Sequence, residues 1–119
     1  MPGKLVSVNE IMRAIACFKG AYKYLSDLPY HTLYIYETLS IDGFDKANKL
    51  VIKILKEYRT IHSTMKSIEL LNISPEFNDN ASIIMYAAEQ NLDYFLGVLT
   101  QLKKGEEKFV SMTTKKKRG

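Results

Sequence analysis

Few side chains in this chain are suited to catalysis or metal binding, and their spacing assembles no site. His31 and His62 are the only histidines, and neither stands in an HExxH helix or beside a paired CxxC. Cys17 is the lone cysteine. It lies in Ala-Cys-Phe on a helical pattern, the setting of a small buried hydrophobe. Glu37, Glu57, Glu69, Glu89 and Asp93 do not pair at metal-bundle spacing, and the Glu-x-x-His signature of di-iron bundles is missing. The six glycines are scattered, so no loop can cradle a phosphate. The expectation is a protein that is not an enzyme and holds no metal and no cofactor.

Charge offers more. Lys46, Lys49, Lys53 and Lys56 recur at three, four and three residues, which places four ammonium groups along one side of a helix. That line covers roughly 15 Å of helix axis, enough to follow several consecutive phosphates. The same spacing also describes an ordinary solubilising face. Lys115, Lys116, Lys117 and Arg118 form a second basic element at the end of the chain. This run reads as a nuclear-import-like cluster, a nucleic-acid arm or a solvated tail. Eight tyrosines without a tryptophan make a skewed aromatic set. Tyr22, Tyr58 and one of Tyr86 or Tyr94 read as core or core-edge residues. Tyr30, Tyr34 and Tyr36 crowd one short segment and cannot all face inward, so they are candidates for a protein interface or for stacking on bases.

These residues need elements to position them, and the periodicity supplies four helices. The strongest covers residues 45–71, where Ala47, Val51, Ile54, Tyr58, Ile61, Met65 and Ile68 alternate at four and three. This seam lies opposite the lysines, so one helix carries both core and charge. Asp42 or Asp45 is its expected cap. A capping box, Ser7-Val8-Asn9-Glu10, opens a first helix over residues 8–27. Its inward line is expected at Ile11, Ile15, Phe18, Tyr22 and Leu25, with Ala14, Ala21 and Leu28 supporting the same face. Pro29 ends that helix and suits the first turn of the next. Residues 30–40 admit strand or helix, and a lone strand would have no partner, so a short helix with Leu33, Tyr36 and Leu39 inward is expected.

After a polar break around Ser74-Pro75, the last helix is expected over residues 80–104, stopped by Gly105. Its inward line runs through Ile84, Ala87 or Ala88, Asn91, Phe95, Val98 or Leu99, and Leu102. Asn91 stands where this line should be apolar. It therefore needs an amide partner across the bundle, a place at the solvent edge, or a register-setting role between chains. The fold class is all-α: a small antiparallel, up-and-down helical bundle over residues 1–105, with a basic tail over 106–119.

A chain of 119 residues, 46% apolar and 25% charged, is one globular domain with an ordinary composition. Its net charge of +4 and pI near 9.1 favour an anionic partner only mildly. A single thiol and the lack of a signal-type apolar run point to an intracellular compartment, cytoplasmic or nuclear. No stretch has the length of a membrane span. The function expected from these residues is a helical structural subunit of a nucleoprotein assembly. It would contact the phosphate backbone of RNA or DNA without sequence preference and pack on protein subunits of a larger complex. The alternative is a protein–protein adaptor or homo-oligomer that touches no nucleic acid.

Overall fold

The computed structural model describes residues 6–118, with side chains through Thr113. Among them are four helices and no strand: α1 (Val8–Ser26), α2 (Leu28–Asp42), α3 (Phe44–Leu71) and α4 (Pro75–Arg118). The chain is an all-α helical bundle, long and thin at 77 × 23 × 17 Å.

The backbone is antiparallel but not a four-column bundle. α3 and α4 form the spine. α1 lies against the later half of α3, where Cys17 and Tyr24 share walls with Ile61, Thr64 and Met65. α2 follows it along the earlier half, where His31 and Tyr34 stand beside Leu50 and Ile54. α1 and α2 thus occupy one column in succession, and the cross-section holds three helices. The break between them is short. Asp27 closes α1 and opens α2, and Pro29 sits in the first turn of α2, where its missing N–H leaves no bond unmade.

The core divides accordingly. One cluster gathers Ile35, Val51, Ile54, Leu55, Tyr58, Phe95, Val98 and Leu102 around α2. The other gathers Ala14, Phe18, Ala21, Met65, Ile68, Ala81 and Ile84 around α1. Leu25 and Ile61 pack against both. The seam expected for α3 is buried as read, apart from the half-buried Ile61.

Several local expectations shift, each for a physical reason. In α1 the buried residues are Ala14, Phe18 and Ala21, while Ile15 and Tyr22 are 40% and 44% exposed. Small side chains let α1 approach the spine closely, and the larger residues move to its margin. In α2 only Ile35 is buried, and Leu33 and Tyr36 face outward. Apolar residues surround this helix on every side, so periodicity alone could not select its inner face.

The start of α3 is capped by neither aspartate. Gly43 holds φ 92°, which a side chain would strain, and no side chain caps the helix. α4 begins earlier than expected, at Pro75. Ser74 Oγ accepts from the Phe77 N–H at 3.2 Å, and the polar stretch beyond is accommodated by Asn80 donating to the Glu76 carbonyl. Nor does Gly105 stop α4. The Phe44 ring covers it so closely that an added Cβ would lie 3.3 Å from the ring. Gly105 therefore serves close packing, and the helix runs on through the segment expected as a tail.

Candidate interaction surfaces

The lysine face is exposed, and two of its four lysines are paired with aspartates. Lys46 Nζ lies 3.7 Å from Asp42 Oδ1, and Lys49 Nζ lies 3.1 Å from Asp45 Oδ2, both one turn back. Lys53 lines a cavity of about 260 Å³ together with Glu57, Tyr24, His31, Tyr34, Leu50 and Ile54. Further along, Arg59 shares a groove with Glu89 and Asp93, and His62 Nε2 lies 2.8 Å from Glu89 Oε1. Such exposed pairs are individually weak, on the order of 0–1 kcal/mol. Their effect here is on the field: carboxylates interrupt the stripe that was expected to track phosphates. Lys115, Lys116, Lys117 and Arg118 belong to the last turn of α4, and their side chains lie outside the described part of the chain.

The tyrosine cluster of α2 is exposed and split. Tyr30, Tyr34 and Tyr36 are 71%, 58% and 50% accessible. Tyr34 faces α3 beside Lys53. Tyr36 lies on the other flank, one turn from Thr32, whose hydroxyl is 3.5 Å from that of Tyr94 on α4.

That second flank is a surface the sequence reading missed. Tyr22 donates to Asn80 Oδ1 at 2.9 Å, which brings α1 and α4 side by side. Around this contact and the Thr32–Tyr94 contact lie Ile15, Tyr22, Tyr36, Ile83, Tyr86 and Tyr94, all exposed. On α4 the line Ile83, Ala87, Gln90, Tyr94, Gly97 and Gln101 carries no charged residue. Tyr22, Tyr86 and Tyr94 had been candidates for the core, and their apolar character is what hid the surface: an apolar residue at helical spacing reads as inward whichever way it points.

Inside the bundle, a cluster of aromatic and polar groups sits where α1, α2, α3 and α4 converge. The Tyr24 and His31 rings are 4.4 Å apart between centroids, and Tyr58 stacks on Phe95 at 5.6 Å. The Tyr58 hydroxyl is 3.5 Å from His31 Nδ1. Burial pushes Tyr58 up to about 12; the Asn91 amide opposes this, and the Asp27 charge reinforces it. Burial likewise raises Tyr24 to about 12, with the charges of Tyr58 and Glu57 adding to it. His31 is held below its ordinary value by burial, against the pull of Asp27. Asn91 is half-buried, with its amide on the side of the bundle that holds Tyr58. The sequence signal for this cluster was Asp27, four residues before His31.

Cys17 lines a neighbouring cavity with Gly20, Thr60 and Thr64, which shares Tyr24 and Glu57 with the cavity beside His31. Among the described residues, no three His, Cys, Asp or Glu side chains converge on a metal position. No helix among them is long and apolar enough to cross a membrane.

The fold and surfaces define a three-column α-helical bundle with a lysine-bearing face on α3 and an aliphatic and aromatic flank whose α4 line is uncharged. No protein-family model, curated protein or solved structure matches the chain.

Proposed function

We propose that this chain is a non-catalytic helical interaction module that packs against protein through the uncharged flank between the α1–α2 column and α4. One observation carries this reading: a row of exposed aliphatic and aromatic side chains on a flank whose α4 line lacks charge. Contiguous apolar surface beyond a few hundred Å² is uncommon on free monomers and marks association sites. Tyrosine adds contact area at low entropic cost, with a hydroxyl to spare for a rim hydrogen bond. The exposed lysines of α3 then keep that helix's outer face hydrated.

Introducing charge on this flank should abolish association. With the intact tagged chain as bait, Ile83→Glu combined with Tyr94→Glu is expected to lose the proteins that the parent captures, with helix content by circular dichroism unchanged. Nuclease treatment should leave the parent's capture intact. Partners retained by the double variant, or lost to nuclease alone, would remove the reading.

A second reading, a subunit of a nucleoprotein assembly, is favoured by one feature: Tyr34 and Lys53 line the same cavity, setting a stacking surface beside a cation. If Lys46, Lys49, Lys53 and Lys56 all neutralise phosphates, affinity for labelled oligonucleotides should fall with salt at a log–log slope of about −3 to −4. Lys53→Gln should then flatten the slope by about one unit for every oligonucleotide sequence. A slope unchanged in the quadruple glutamine variant would take the stripe out of the mechanism.

A further inference from the structure

The uncharged flank has a property that a general docking surface does not need: it is complementary to itself. On α4, Ile83, Ala87, Gln90, Tyr94, Gly97 and Gln101 recur at four, three, four, three and four residues. This is a second heptad line, distinct from the buried line of Ile84, Ala88, Phe95, Val98 and Leu102. Gln90 sits at its centre, and its Nε2 donates to the Tyr86 hydroxyl at 2.7 Å. Laid against an antiparallel copy about a twofold axis at Gln90, each residue meets the one equally far on the other side. Ile83 then faces the partner's Gly97, a large side chain against a small one, and Tyr94 faces the partner's Tyr86, ring against ring.

Gly97 gains a reason in this arrangement. It lies in the interior of α4 and is exposed, and an added Cβ there would meet nothing within 4 Å. Packing within the chain therefore does not require a glycine, although glycine weakens a helix interior relative to alanine. The flanking residues are balanced as well. Tyr22 stands level with Asn80, and Tyr36 stands one turn beyond the Thr32–Tyr94 contact, so the two tyrosines lie on either side of Gln90.

Area and charge also suit a second copy. The exposed fractions of Ile15, Tyr22, Tyr36, Ile83, Tyr86 and Tyr94 amount to on the order of 600 Å². A standard interface buries about 800 Å² per partner, which the polar residues of the line can complete. Although the chain carries a net charge of +4, these six α4 positions are uncharged, so two copies meet along that line without like-charge repulsion, with Lys19 of α1 at its margin.

We propose that the partner of this flank is a second copy of the chain, paired antiparallel through α4 about Gln90. This inference rests on the interaction reading above and names its occupant. The test is the mass of the intact chain by light scattering and by sedimentation over a concentration series. A dimer of roughly twice 13.7 kDa is expected. Gln90→Glu, which sets two carboxylates against each other on the axis, should weaken dimerisation more than about tenfold at neutral pH. Gly97→Ile should also break the dimer by meeting the partner's Ile83, and adding Ile83→Ala should restore it. All three positions are solvent-facing, so helix content should not change.

A chain monomeric at every concentration overturns the inference, as does a dimer indifferent to both single substitutions, or a size swap that fails to rescue. If a monomeric chain captures a different protein and loses it on Ile83→Glu with Tyr94→Glu, self-pairing fails while the interaction reading stands.

Discussion

Phe95→Ala is expected to lower the unfolding free energy by about 3–5 kcal/mol, the usual cost of emptying an aromatic site in a core. Phe95 is fully buried and stands where three helices meet. It stacks on Tyr58 of α3 at 5.6 Å and meets Tyr94 of its own helix edge-on at 5.0 Å. Tyr58 cannot follow the receding surface, because its own ring is held by Tyr24 at 5.0 Å and its hydroxyl stands beside His31. The site therefore collapses poorly and a cavity remains. For a chain of this size the loss corresponds to a fall on the order of 10–20 °C in melting temperature. Leu70→Ala, at a position 79% exposed, should stay within about 0.5 kcal/mol of the parent. Equal midpoints for parent and Phe95→Ala in urea would show that this cluster is not the core.

The second large effect is a loss of stability in alkali. Tyr58 and Tyr24 are raised to about 12 in the folded chain, against about 10 when unfolded. A raised value means that the unfolded state releases the proton more readily. The stabilisation is therefore full below pH 10 and is lost as pH climbs toward 12. At about 1.4 kcal/mol per unit, the fully buried Tyr58 contributes roughly 2–3 kcal/mol of that loss. On the acid side the sign reverses. His31 is depressed in the folded chain, so its contribution is present above about pH 6.5 and is lost as pH falls below it. Denaturant midpoints measured from pH 5 to 12 should trace a plateau with a shoulder on the acid side and a steeper fall above pH 10. Tyr58→Phe should flatten the alkaline fall and His31→Gln the acid shoulder. An alkaline limb of the same steepness in Tyr58→Phe would assign the loss to other groups.

Legibility in the sequence followed the strength of the physical signal. The α3 seam was readable because seven apolar residues kept one period for the whole helix, which leaves a single inner face. The buried line of α4 was readable for the same reason, and Asn91 stood out in it because a buried amide demands a partner. α2 was not readable, since its apolar residues cover the full circumference and only the neighbouring α3 selects Ile35. In α1 the face was readable but its centre was not: Ala14 and Ala21 were expected only to support Ile15 and Tyr22, whereas close helix approach rewards small size and leaves the larger pair at the margin. Gly105 was misread because glycine has two uses in helices, ending them and admitting a neighbour, and the sequence does not reveal Phe44 lying opposite. The lysine stripe was found, while its neutralising partners Asp42 and Asp45 were visible one turn back and were read only as caps. The uncharged flank escaped notice because an exposed apolar line and a buried one share the same spacing.

The succession of α1 and α2 along one hairpin also bears on how the chain comes to be folded as it is made. Every element before α4 leaves apolar surface waiting: Phe18 and Ala21 on α1, Ile35 on α2, and Tyr58 and Met65 on α3. Ile84 and Phe95 complete both clusters, and they are synthesised last. A growing chain therefore cannot close its interior until the stretch up to Leu102 has emerged, some thirty residues after α3 is complete. During that interval α1, α2 and α3 resemble an open trough, with Leu25 and Ile61 as its midpoint, and one long helix seals it from end to end.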